Sequence, residues 1–317
     1  MRYALRRLAS VVPLLFVVTF VCFSMLKLLP GDPVVTILGN GASDPEKVKT
    51  LTRELGLDRP FLAQYFSWLG RFLRGDMGSM FNGGTGEKVR DIIVRTFPVT
   101  FELALVALVL ALLISIPLGV LAGYRSGTRT DRIIGMSNYA FLSSPAFVVG
   151  PLLMFFVGLQ LGWLPVGQLI PWGESPIGHI KSIILPAVTL AVGQIPNLSR
   201  LLRTDMESTL KEDFIIMAKS KGLPDRTILF RHALRPSSLT LLTVAGVNLG
   251  ALLGGSVIVE RLFNIQGLGF QLVSGISNRE YLLVLGVVTV ITITVLLLAT
   301  SVDLFYGVVD PRVRAAR

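Results

Sequence analysis

PVTFELALVALVLALLISIPLGVLA, residues 98–122, holds a single ionisable side chain, Glu102. A helix that is apolar on every side is either the core of a large protein or a membrane span, and a span needs roughly 20 consecutive apolar residues. Comparable runs occur at 8–29, 133–161, 183–203, 237–259 and 282–305. The pattern predicts an all-α integral membrane protein of about six transmembrane helices, with both termini on the same side.

Composition agrees, because 52% of the 317 residues are hydrophobic and 16% are charged, outside the balance of a soluble domain. The formal net charge is +10. Its Lys and Arg residues are spread among loops rather than gathered on one face, so nucleic acid is not the expected partner. They report topology instead, since short loops rich in Lys and Arg stay in the cytoplasm. Arg2, Arg6 and Arg7, then Arg125, Arg129 and Arg132, then Arg203 and Lys211 to Arg235, then Arg312 to Arg317 all fall on one side. That side is read as cytoplasmic, which puts residues 30–97 outside.

The first run is too long for a signal-peptide core and ends at Lys27-Leu28-Leu29-Pro30-Gly31 without a small-residue cleavage site, so it reads as a retained span. The lone cysteine, Cys22, lies within it, which leaves no intrachain disulfide and no multi-cysteine metal site. Three segments follow: 1–29, an N-terminal segment and first span; 30–97, an extracytoplasmic segment with short helices; and 98–317, a five-helix core. In the middle segment Asp44 or Ser43 can cap a helix with Pro45 in its first turn and Gly56 past its end. After Pro60, the residues Leu62, Phe66, Leu69 and Phe72 or Leu73 share one face up to Gly75. They predict an amphipathic helix on the outer leaflet.

The loop from Thr204 to Pro236 is too polar to cross a bilayer and reads as helix, turn, helix about Gly222-Leu223-Pro224. Phe214, Ile215, Ile216 and Ala218 form an expected apolar ridge beside Lys219 and Lys221, suited to docking into a groove of a cytoplasmic partner. Span five places Gly246, Gly250 and Gly254 at every fourth position, which permits close helix approach, either within the chain or to a second subunit. Among polar residues inside the spans, Ser143, Gln194, Asn197 and Asn248 are the candidates to line a path, because Pro145 and Pro196 are expected to interrupt the neighbouring backbone.

Some chemistry is missing. Glu102 and Asp303 are the ionisable residues well within the runs and lie near their ends, whereas ion-coupled transporters place such groups at mid-depth. No Gly-x-x-x-x-Gly-Lys-Ser/Thr phosphate loop is present, so nucleotide binding by that route is not expected. His179 and His232 fall on opposite sides of the predicted membrane and cannot share a metal or a nucleophile. No catalytic residue and no metal site are predicted.

Ala218-Lys219-Ser220-Lys221-Gly222 followed by Arg231-His232-Ala233-Leu234-Arg235 resembles the coupling loop of ABC importer permeases of the dipeptide, oligopeptide and nickel branch. Ile216-Met217-Ala218 stands where the broader superfamily favours Glu-Ala-Ala, and Pro236 falls one position late. The likeness runs in order through the chain: Leu29-Pro30-Gly31-Asp32-Pro33, Ser144-Pro145-Ala146-Phe147, Trp163-Leu164-Pro165-Val166-Gly167, Leu185-Pro186-Ala187, Glu260-Arg261-Leu262-Phe263, Gly267-Leu268-Gly269, Asp303-Leu304-Phe305-Tyr306 and Asp310-Pro311-Arg312.

The resemblance implies a type I ABC importer permease fold in the cytoplasmic membrane of a bacterium or archaeon. It implies a second related permease, two cytoplasmic ABC ATPase domains that bind ATP and magnesium, and an extracytoplasmic solute-binding protein. Phe214, Ile215, Ala218, Lys219, Gly222, Leu223 and Pro224 would then couple to the ATPase. Peptides are the expected substrate. Nickel chelates or glutathione in the same branch, or an ion-coupled secondary transporter, are the alternatives.

Overall fold

The computed structural model describes residues 12–24, 34, 45–54, 58–80 and 86–309. Eleven helices account for most of them: α1 (Val12–Ser24), α2 (Pro45–Glu54), α3 (Phe61–Leu73), α4 (Val89–Tyr124), α5 (Arg129–Leu142), α6 (Ala146–Leu153, continued by a wide π turn over Met154–Gln160), α7 (Pro176–Thr209), α8 (Asp213–Ser220), α9 (Asp225–Leu262, with a π turn at Ile228–Ala233), α10 (Leu268–Ser277) and α11 (Tyr281–Val309). Among the described residues the only strand-like pairing is an isolated bridge between Ser79 and Lys88. Among the described residues four helices, α4, α7, α9 and α11, are long and apolar enough to cross a membrane, and the bent pair α5 and α6 makes a fifth if it is one span. The first apolar run is described only as α1, and Gly56 and Asp310 to Arg317 lie outside the described residues.

The run at 133–161 is interrupted at Pro145, as expected. It divides into α5 and α6, bent by 96°. Pro145 has no N–H to give and disfavours helical backbone at Ser144. The other expected interruption is absent, for α7 continues through both Pro186 and Pro196. A proline lacks one bond of the helix ladder, and Pro186 and Pro196 are both buried among neighbours that hold the helix.

The chain divides into two compact units. One comprises Met1–Thr100 and Gln266–Leu296, the other Phe101–Ile265 and Leu297–Arg317. Residues 266–296 thus share a compact unit with residues up to Thr100.

In the first unit, Val89, Ile92, Ile93, Leu268, Leu283 and Val287 form a buried cluster. A Cβ added at Gly286 would meet Val89 at 2.9 Å, so α11 approaches α4 as closely as its missing side chain allows. The Leu268 N–H donates to Thr100 Oγ1 at 2.7 Å, which satisfies one of the unpaired amides at the start of α10. Tyr65 and Trp68 of α3 are buried with Leu285. Their rings meet Phe20 and Phe23 of α1 at centroid separations of 5.2 to 5.7 Å, the range of favourable aromatic pairs. The Tyr65 hydroxyl and Thr19 Oγ1 share a 2.8 Å hydrogen bond.

This corrects the expectation for α3. Leu62, Phe66 and Leu73 are indeed open, at 58%, 59% and 75% exposure. Leu69 and Phe72 join the aromatic packing instead, so the helix has two apolar stripes and one of them is a core.

The second unit is built around α7. Ser175 caps it by accepting the Gly178 N–H at 3.0 Å, with Pro176 in the first turn, a favourable start for a helix. Against it lies α4, where a Cβ at Gly119 would meet Leu202 Cβ at 2.8 Å and one at Gly123 would meet Met206 Cβ at 2.7 Å. Small residues four apart let the two backbones approach, the usual device of helix pairs in lipid. Helices α5, α6 and α9 also pack on α7.

Candidate functional site

The 204–236 loop folds as the sequence predicts, with α8, a turn, and then α9. Glu212 precedes α8, Asp213 lies in its first turn and Lys219 in its last, an order that complements the helix dipole. At its end Lys221 N–H donates to Met217 O, Gly222 N–H to Lys219 O at 2.9 Å and Leu223 N–H to Ala218 O. Gly222 has φ +70°, the left-handed conformation glycine adopts without a steric cost. Pro224 then precedes α9, its carbonyl accepting Thr227 N–H at 2.9 Å.

The expected ridge divides between two faces of α8. Ile215 is wholly buried and Ala218 6% exposed, whereas Phe214, Ile216 and Met217 are 45%, 55% and 58% exposed. Ile215 and Ala218 thus anchor the helix to its own chain, and the surface offered outward is Phe214, Ile216 and Met217, with Leu223 at 36% and Lys219 and Pro224 also exposed. The sequence reading missed Met217. A helix with apolar residues on two faces gives no sign in its pattern of which face is the inner one.

Side-chain bonds fasten the loop's two stems. Thr209 Oγ1 and Ser237 Oγ lie 3.0 Å apart, joining the end of α7 to the start of the apolar part of α9. The Tyr124 hydroxyl donates to Asp225 Oδ2 at 2.6 Å, from the end of α4 to the first turn of α9. Arg203 donates through Nε and a terminal nitrogen to the two oxygens of Asp131, at 2.6 and 2.8 Å, and Gly127 N–H also donates to that carboxylate. This two-point geometry is the strong form of an arginine–carboxylate pair. Beside the stem, Arg226, Thr227, Phe230, Arg231 and Arg235 line an open depression of about 560 Å³.

Of the candidate path residues, Ser143 is exposed at the break between α5 and α6, its hydroxyl donating to Tyr139 O at 2.9 Å. Asn197 is exposed on α7, and Gln194 and Asn248 are half-buried. The glycines of α9 have three separate environments. The space beside Gly246 is filled by Val302 of α11, Gly250 is buried, and a Cβ at Gly254 would meet nothing within 4 Å. Gly246 therefore serves packing within the chain.

Near the other end of α7, buried His179 has Nδ1 2.7 Å from Ile170 O and Nε2 3.0 Å from Glu102 Oε1. Trp172 stacks on the ring at 4.1 Å and donates to the same carboxylate oxygen. These contacts fix the 161–175 connection onto α4 and α7. Among the described residues no group of three or more His, Cys, Asp or Glu side chains could hold a metal ion.

Residues 115–315 match the family described as the binding-protein-dependent transport system inner membrane component, and residues 1–104 match the corresponding membrane component, N-terminal. The chain belongs to this family. Among similar proteins, a putative peptide transport system permease of Brucella abortus is 36% identical over 98% of both chains. The oligopeptide transport system permease OppB of Salmonella typhimurium is 34% identical over 99% of both, and AppB of Bacillus subtilis is 32% identical over 98% of both. The fold is also that of solved ABC transporters. An inward-facing MetNI methionine transporter chain superposes with a TM-score of 0.57 at 19% identity, covering 69% of this chain and 96% of that one. An amino acid ABC transporter chain gives 0.52 at 15% identity, covering 68% and 94%. The protein is thus a multi-pass membrane component of an ABC transporter.

Proposed function

We propose that this chain is the membrane-spanning permease subunit of an ATP-driven importer of peptides in the cytoplasmic membrane of a bacterium or archaeon. Both termini and the 204–236 loop lie on the cytoplasmic side. A second related permease, two ABC ATPase domains and an extracytoplasmic binding protein complete the assembly. The chain binds no cofactor and catalyses no reaction; ATP and magnesium belong to the ATPases. The peptide assignment rests on the similarity to permeases named for peptide transport, in preference to nickel chelates or glutathione.

The observation that carries the reading is the double-sided α8. Its inner face, Ile215 and Ala218, is locked into the chain, while Phe214, Ile216 and Met217 stand exposed beside a cation. An apolar helix face rimmed by charge is the form of a helix seated in a partner's groove. Closure of the ATPases would push on α8, and its anchors, together with the Thr209–Ser237 bond, would carry the displacement into α7 and α9. Alternating access follows if that displacement favours one of two arrangements of the spans.

Purification in mild detergent from the native membrane, followed by reconstitution, tests the proposal. Co-purification of a second permease and an ATPase, with ATP-dependent uptake of a labelled peptide, is expected. Uptake of a nickel chelate or glutathione in place of peptides would move the substrate within the branch. Recovery of the chain alone, with uptake driven by an ion gradient, would overturn the ATP-driven reading.

A further inference from the structure

From Ser182 to Thr204 α7 is buried or half-buried at all but four positions, Gly193, Asn197, Arg200 and Thr204. Steps of four, three and four residues put these on one stripe of the helix. It holds no exposed apolar side chain. On α4, in contrast, Leu105, Val109, Leu113 and Leu121 are 39% to 64% exposed, as a lipid-facing surface requires. An arginine near a helix end can reach the headgroups along its own stem, but the amide of Asn197, a turn deeper, cannot. A polar stripe at this depth faces a water-filled path or a protein neighbour, not hydrocarbon.

The Arg200 guanidinium lies over the Tyr139 ring, 5.6 Å from its centroid, and Tyr139 is itself 60% exposed. Among the described residues, neither that guanidinium nor the Asn197 amide has a hydrogen bond or an ion pair. A ring beneath one face of a guanidinium holds its plane and leaves the N–H groups at its edge free. Those edge groups form a planar fork that matches a carboxylate. A linear, unmodified peptide ends in a carboxylate, and its backbone amides are groups that the side-chain amides of Asn197 and Gln194 can pair.

We propose that the α7 stripe lines the translocation path and that Arg200, backed by Tyr139, receives the terminal carboxylate of a free peptide during passage. The inference rests on the peptide reading above. It assigns a specificity-determining residue that the sequence pattern alone does not mark, since Arg200 lies near the end of an apolar run like any topological arginine.

The test uses the complete transporter with its ATPases and binding protein in proteoliposomes, and compares uptake of a labelled tripeptide with that of its C-terminal amide. The readout is the acid-to-amide ratio, because the binding protein's own preference is common to every variant. In Arg200→Gln the ratio is expected to fall roughly tenfold, the scale of one charge-assisted hydrogen-bonded pair, and Arg200→Lys should retain part of it. Asn197→Asp, which places a competing carboxylate beside the guanidinium, should lower the ratio independently. An unchanged ratio in both Arg200→Gln and Asn197→Asp would overturn the role, whether uptake of the two forms is intact or falls together, the latter marking a packing or subunit contact. If the unaltered transporter moves neither form, the peptide reading fails and this inference with it.

Discussion

At residue 222 the backbone needs a left-handed conformation, while a Cβ placed there would meet nothing within 4 Å. The requirement is conformational rather than steric. Gly222→Val is therefore expected to strain the turn by about 1–2 kcal/mol and shift α8 relative to α9, so that ATP hydrolysis proceeds with little peptide uptake. The ratio of ATP hydrolysed to peptide imported in proteoliposomes measures this, with subunit recovery confirming assembly. The two faces of α8 separate in the same way. Met217→Asp should weaken ATPase co-purification roughly tenfold, about 1–2 kcal/mol for an exposed apolar contact residue, while leaving the thermal midpoint of the isolated chain in place. Ile215→Ala should do the reverse, costing about 2–4 kcal/mol of stability through a buried cavity. Finding both substitutions equal in both assays would mean that α8 has no inner and outer face.

Among the elements, α7 and α4 approach each other where two side chains are absent. Gly119 faces Leu202 Cβ and the Ser199 carbonyl at 2.8 and 2.9 Å from where its own Cβ would be. Gly119→Leu should force the helices apart, at about 1–3 kcal/mol, and a lowered melting temperature in detergent would register it. Gly254→Leu, where the space is open, is the matched control expected to leave that temperature unchanged in the isolated chain. Helix α9 shows why spacing alone was insufficient: Gly246, Gly250 and Gly254 follow one rule in sequence, yet one is filled by Val302, one is buried and one is open. The break at Ser144-Pro145 and the caps around α7 and α8 follow from local chemistry, and the sequence contains it. The two-stripe character of α3 does not, because Leu62 and Leu69 look equally apolar until α1 supplies the aromatic rings that select one stripe.

Across the whole molecule, the loop's stems are joined by bonds between residues far apart in the chain. Asp131 and Arg203 stand 72 positions apart, and Tyr124 and Asp225 stand 101 apart. Asp131→Asn should loosen the loop and reduce peptide import per ATP. Exchanging the charges, Asp131→Arg with Arg203→Asp, should restore part of the loss, since removal of one partner strands the other charge while exchange keeps the pair. Failure of the exchange to recover any coupling would show that only the native orientation of the fork, with Gly127 N–H on the carboxylate, serves.

The sequence by itself determined the membrane class, the places of four long apolar helices, the break at Gly222-Leu223-Pro224 and the family, because each is written in local composition, periodicity or an ordered set of short motifs. Apolar runs declare a span whatever surrounds them, and a glycine or a proline acts within its own turn. Only the tertiary structure decided which face of α3 and of α8 is inward, which glycine of α9 meets a neighbour, and that Arg200 belongs to an exposed polar stripe rather than to a topological end. Those outcomes depend on which surfaces other helices cover, and burial of one face is a property of the neighbours, set by contacts between residues that no local pattern brings together.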